Sequence, residues 1–186
     1  STMTAALNPK RTIAELKELR TLTSDANGAQ RVAFTPIWTK ARDWFQKKLA
    51  ELPVKTHRDA SGNFWATLRG ESPVEVLIGG HIDSVPNGGW LDGSLNLLAG
   101  LEVLRRISQE YYSKPPVTVR LVDWADEEGA RFGRSLFGSA AVSGTLDPEA
   151  VRGLKDNDGR LLGDVVREHG VDLDHVLEAG AIRPKL

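Results

Sequence analysis

The stretch PVEVLIGGHIDSVPNGGWLDG, Pro73 to Gly93, carries an apolar run into two glycines and then into His81, Asp83 and Asp92. Apolar side chains occupy both faces of its first part, which predicts a buried strand. A second run of this kind, PVTVRLVDW, predicts a buried strand over 117–124. Between them Leu95, Leu98, Leu101, Val103, Leu104 and Ile107 recur at helical spacing, so 94–112 reads as a well-buried helix. Strand, helix, strand predicts an α/β fold: a mixed, partly parallel sheet flanked by helices. Ligands of such sheets bind beyond the carboxyl ends of the strands. Both strands end there in acid clusters.

Upstream, Ile13, Leu16 and Leu19 predict a short helix over 12–22, and TSDANGAQRVAFT a polar loop. Ile37, Ala41, Trp44, Phe45, Leu49 and Leu52 predict a helix over 36–51 that opens on Pro36, a residue suited to a first turn. VKTHRD and GNFWATLRG read as two strands of a hairpin turning at Ser61-Gly62. Downstream, SLFGSAAVSG predicts a short helix, 161–169 another, and LDHVLEAG a further helical turn or two.

The chain has 186 residues, a length that fits one domain or a piece of a larger one, and 40% apolar residues suffice for a core. A net charge of -1 without a basic patch gives no reason to expect nucleic acid. With no cysteine, disulfides and thiolate ligands are excluded, and any metal must use histidine and carboxylates. There is no apolar signal region, and no run nears the roughly 18–20 residues needed to cross a bilayer. The expected location is cytoplasmic.

His81 and Asp83, two apart in an extended segment, leave the same face. A metal-ligating imidazole donates its other N–H to an acceptor, and Asp83 can be that acceptor or steer a catalytic group. Asp92 follows a loop with three glycines nearby and can return a carboxylate to the same point. In DWADEEGARFG, Asp126, Glu127 and Glu128 are adjacent, a costly arrangement unless cations offset the repulsion. One glutamate can ligate while its neighbour takes the proton of a water that the ion acidifies. Asn87, Gly88 and Gly89 can offer backbone N–H groups to a substrate carboxylate, or form only a turn. Ser84 and Ser94 lack a nucleophile elbow. His57, His169 and His175 read as surface residues, and the five tryptophans as core or rim packing.

GGHIDSVPNGGWLDG, LAGLEVLRRI, DEEGARFGRSLFGSAAVSGT and RDASGNFWATLRG resemble the hydantoinase/carbamoylase amidases, from about residue 12 to 180. That family takes in N-carbamoyl-L-amino-acid hydrolases, allantoate amidohydrolases and β-ureidopropionases, within the clan of co-catalytic metallopeptidases. The resemblance implies a zinc-exopeptidase-like catalytic domain. It implies two divalent ions (zinc, manganese, cobalt or nickel), with His81 and Glu128 as ligands of the first and second and Asp92 bridging across a cis peptide to Gly93. It implies Asp83 as the residue supporting the site and Glu127 as general base. Two departures stand out: Asn96 occupies a position where relatives usually carry glycine, and the further histidine that each ion needs has no match, His175 included. The expectation is therefore an N-terminal portion, 1–186, of the metal-dependent catalytic domain. The rest of that domain and the lid that makes a homodimer are absent, and the piece alone is expected to be nearly inactive and to bind metal weakly. Its substrate in complete form is an N-carbamoyl amino acid or another ureido acid. An aminoacylase or peptidase of the same clan, and a non-catalytic module that retains the motif residues, are the alternatives.

Overall fold

The structure, a computed structural model, describes residues 7–112 and 114–186. A mixed sheet in the order β3-β4-β6-β5 forms its centre. These strands are β3 (Lys55–Arg58), β4 (Phe64–Leu68), β5 (Ser72–Gly80) and β6 (Val117–Asp123). The β3/β4 and β4/β6 pairs are antiparallel, and β5 runs parallel to β6 from Ser72↔Val117 to Gly80↔Asp123. A parallel pair needs a crossover, and α3 (Ser94–Glu110) supplies it. Gly100 lets that helix close on the sheet: a Cβ there would meet Leu121 Cδ1 at 2.6 Å and Ile78 Cγ2 at 3.0 Å.

Helix α1 (Pro9–Thr23) packs on α3, and α2 (Pro36–Leu49) packs on α1. Thr35 caps α2 by accepting the Trp38 N–H, and Pro36 takes the first turn, where its missing N–H costs nothing. Between these helices β1 (Ser24–Asp25) and β2 (Gly28–Ala29) form a small hairpin within what the sequence reads as a loop. Beyond β6 come α4 (Phe137–Ser143), α5 (Pro148–Arg152), α6 (Leu162–Glu168) and a 3-10 helix over Val176–Lys185.

Three sequence expectations change. The buried face of α2 is Trp38, Ala41, Arg42, Phe45 and Leu49, whereas Ile37 is exposed and Trp44 half-buried. In α1 the buried residues include Glu15 in place of Ile13, because Arg105 of α3 donates to both Glu15 oxygens at 2.6 and 2.8 Å. Strand β5 is not buried: Val74 is 59% and Val76 45% exposed, since β5 is the edge of the sheet and has a ladder on one side only. The other edge, β3, presents Lys55, His57 and Arg58, the charged kind of edge that resists further pairing. Among the described residues no helix is long and apolar enough to cross a membrane.

Candidate active site

The two parallel strands stop at the same level, Gly80 opposite Asp123, and the chain turns at both ends into polar loops. His81, Ile82 and Asp83 continue from β5. Ile82 points into the core at 0% exposure, so the residues on either side face the other way. Asp83 is itself fully buried. Its carboxylate accepts the backbone N–H of Glu127 at 3.2 Å on one oxygen and that of Glu128 at 3.1 Å on the other. One side chain thus joins the end of β5 to the turn after β6.

Asp83 also fixes the imidazole. His81 Nδ1 lies 2.9 Å from the Asp83 backbone carbonyl and 3.3 Å from its carboxylate. A carbonyl only accepts, so Nδ1 carries the hydrogen and Nε2 is the atom turned outward, 3.6 Å from Glu128 Oε1. Burial alone would lower the His81 pKa, but the Asp83 hydrogen bond and the Asp83 and Glu128 charges outweigh it and raise it to about 9. The ring rests on Gly93, where a Cβ would stand 2.2 Å from His81 Cε1. Gly93 has φ 71°, and no described peptide bond is cis, so the expected cis link after Asp92 is trans and the glycine's left-handed backbone makes the turn.

Glu127 is held on the other side by Ser139 of α4, whose hydroxyl donates to Oε2 at 3.1 Å. Burial is the main cause raising the Glu127 pKa, with the Asp83 and Glu128 charges adding to it and Ser139 and His81 opposing. The third acid of the run behaves differently. Asp126 has φ 53° and turns inward to 1% exposure, and both its carboxylate oxygens lack a partner among the described residues. Burial, then the Asp83 charge, pushes its pKa up to about 8. Turning inward costs Asp126 its hydration and leaves it under the Asp83 and Glu127 charges, so the crowding among the acids persists.

The loop walls are set by the β3–β4 turn. Asn63, at 0% exposure, accepts the Ala125 N–H at 2.8 Å and donates to the Gly138 carbonyl at 3.0 Å, holding both ends of 125–138. Asp92 lies on the exposed rim, next to Gly93, with Oδ2 beside Gly89, and makes no ion pair with His81. The expected amide donors are partly engaged elsewhere. Asn87 N–H donates to the Gln30 side chain at 3.1 Å and Gly88 N–H to the Ala29 carbonyl at 3.0 Å, because this loop pairs with β2. That correction leaves Gly89 as the remaining candidate of the three. Asn96 is exposed on the first turn of α3. His57 and His175 are exposed, as expected, whereas His169 is half-buried against the Phe34 and Trp38 rings at 5.5 and 5.7 Å.

Sequence reading missed the charged layer behind the site. Arg42, 2% exposed, donates from Nε to Asp123 Oδ2 at 2.9 Å, and Asp123 Oδ1 accepts the Ile82 N–H at 2.9 Å. Arg31, 0% exposed, donates from Nε to the Ile82 carbonyl at 2.7 Å. Arg42 could have been noticed, since it falls four residues after Trp38 on a buried helical face. Arg31 and Ser139 carry no such signal.

His81 Nε2 and Glu128 Oε1, 3.6 Å apart at the two strand ends, are donors of the kind that a divalent cation takes. The fit is partial, because no group of three or more histidine and acid side chains gathers around one point among the described residues.

Comparison with known proteins adds descent to geometry. The family model for Peptidase family M20/M25/M40 matches residues 77–179, from the end of β5 through the site loops to the 3-10 helix. The chain belongs to that family. Its members with matching sequence include an N-carbamoyl-L-amino acid amidohydrolase of Geobacillus stearothermophilus, 36% identical over 83% of this chain and 38% of the relative. An allantoate amidohydrolase of Escherichia coli (strain K12) is 35% identical over 80% of this chain and 36% of the relative. The crystal structure of a hydantoinase/carbamoylase family amidase from Burkholderia ambifaria superposes with a TM-score of 0.80 at 30% identity, over 88% of this chain and 41% of that one. The chain spans well under half the length of these relatives.

Proposed function

We propose that this chain is the N-terminal part of the catalytic domain of a metal-dependent amidohydrolase. In complete form it would cleave the carbamoyl C–N bond of an N-carbamoyl-L-amino acid or a related ureido acid such as allantoate. One observation carries the reading: the Asp83 carboxylate holds the Glu127 and Glu128 amides and the His81 ring together, leaving Nε2 facing Glu128. His81 would be a donor to one ion and Glu128 to a second, with Asp92 on the adjoining rim shared between them. A divalent ion there would supply charge to polarise the carbonyl and to acidify water.

Glu127 receives the proton of the attacking water. Its half-buried carboxylate, whose proton affinity is raised by burial and whose position is held by Ser139, suits a general base. The hydroxyl bonds to the carbamoyl carbon, the bond to the amino-acid nitrogen breaks, and the proton on Glu127 passes to that nitrogen. The carbamate released decomposes to ammonia and carbon dioxide. The homodimer and lid belong to the complete protein in this proposal.

Ammonia release from N-carbamoyl-L-amino acids and allantoate, with manganese or cobalt present, is the test, run beside dipeptides and a full-length relative. Slow release abolished in Glu127→Gln supports the reading. Dipeptide cleavage without ammonia release would replace it with a peptidase or aminoacylase. Turnover equal to the full-length relative would contradict the assignment of a partial catalytic unit. That no third ligand gathers at the pair among the described residues favours a second reading, a non-catalytic module, for which neither turnover nor stoichiometric metal uptake is expected.

A further inference from the structure

We propose that Arg31 is a positioning residue: it clamps the Ile82 peptide, and through it sets how firmly Asp83 is held on the Glu127 and Glu128 amides and His81 is aimed at a divalent cation. The part concerning the cation rests on the function proposed above. The last ladder pair of β5 and β6 is Gly80 with Asp123, so Ile82 lies past the end of regular pairing. Its buried N–H and C=O would otherwise lack partners. Asp123 takes the N–H at 2.9 Å and Arg31 Nε holds the C=O at 2.7 Å. With both peptide groups fixed and the Ile82 side chain sunk in the core, the flanking ring and carboxylate are left one direction to face.

Arg31 is in turn fixed to the same segment. Its N–H donates to Ser84 Oγ at 3.0 Å, the Ser84 N–H returns to the Arg31 carbonyl at 2.8 Å, and Nη1 reaches Thr23 Oγ1 at 3.3 Å. Yet among the described residues its Nη2 has no hydrogen-bond partner, and no carboxylate comes within ion-pair distance. For packing alone that is a poor choice, because a fully buried guanidinium that is incompletely satisfied is costly. What the guanidinium does supply is an in-plane N–H on a rigid fork and a positive charge behind Asp83 and Asp123. Lysine keeps the charge and loses the fork, so the two contributions separate.

The test compares the wild-type chain with Arg31→Lys, Arg31→Met and, as a core control remote from the site, Leu173→Ala. Two quantities are read: solvent exchange of the His81 Nδ1–H by proton NMR in the metal-free chain, and affinity for Co²⁺ by absorption titration. In Arg31→Lys the exchange is expected to quicken about tenfold or more and Co²⁺ affinity to fall about 10–100-fold, the range found for partners that orient metal ligands. Leu173→Ala, destabilised without touching the clamp, should change neither. Unchanged exchange in Arg31→Lys, or an equal change in Leu173→Ala, overturns the proposal. Should the wild-type chain bind no Co²⁺, the cation reading fails, and the exchange measurement still decides whether Arg31 positions His81.

Discussion

Replacing Arg42 by methionine removes the cation from the most deeply buried ion pair among the described residues, whose side chains are 2% and 0% exposed. Methionine fills much the same volume, so what the variant loses is charge and hydrogen bonding. Asp123 keeps the Ile82 N–H and loses its 2.9 Å partner on the other oxygen. The carbonyls of Gly62 and Asp123 lose their donors as well, and the Trp38 ring loses a guanidinium 4.3 Å from its centre. Removing one member of a buried pair typically costs about 3–5 kcal/mol, a large share of a total of about 5–15. Urea unfolding followed by tryptophan fluorescence reads it, with Trp38 a reporter beside the change. The loss must also depend on pH. Burial already raises the Asp123 pKa against the pull of Arg42, and without Arg42 it rises further. An acid with a raised folded pKa destabilises the fold in full above that pKa, and the penalty fades as pH falls from there to the unfolded value, so the gap between wild type and variant narrows as pH falls. A loss below about 1 kcal/mol, or a gap that widens in acid, would refute the reasoning.

Gly93→Ala puts a Cβ 2.2 Å from His81 Cε1 at a φ of 71°, and a non-glycine residue in that sparsely populated backbone region costs about 1–3 kcal/mol; thermal unfolding should show a lower midpoint, and an unchanged one would mean the ring does not sit on Gly93. Glu75→Gln breaks the contact with Arg120, in which Nε lies 2.5 Å from Oε2, and about 1.5–3 kcal/mol is expected for a hydrogen bond between charged groups. The Arg120 hydrogen bond holds the Glu75 carboxyl below the ordinary carboxylate range, so this stability is present above the unfolded pKa and disappears as pH falls through the folded one. Urea curves of wild type and Glu75→Gln should therefore converge in acid, and a difference independent of pH would show that the pair is not the cause.

The layered fold was legible because strand and helix periods alternate cleanly around the two apolar runs, and the site because His81, Asp83 and the 126–128 acids fall at strand ends. Other features were hidden by their physics. An edge strand and a central strand carry the same V-E-V-L-I pattern, and the sequence does not say that β5 lacks a second neighbour. The apolar stripe of α2 is ambiguous by one position, and the buried Arg42 marks the true face only once Asp123 is seen opposite. Asp126 read as one of three crowded carboxylates, yet its backbone at φ 53° turns it inward, a choice made by the tight turn and not by residue type. The Gly88 amide was lost to Ala29 of β2 and the Asn87 amide to the Gln30 side chain just after it, pairings far apart in the chain that no local pattern announces.

The most direct test is anomalous diffraction from crystals of this chain soaked in Zn²⁺ or Mn²⁺. A peak within about 2.0–2.3 Å of His81 Nε2 or of a Glu128 oxygen, with Asp83 still on the Glu127 and Glu128 amides, is the expected result. A peak elsewhere, or none even at a saturating soak, would contradict the claim that Asp83 assembles a cation-binding corner from these two strand ends.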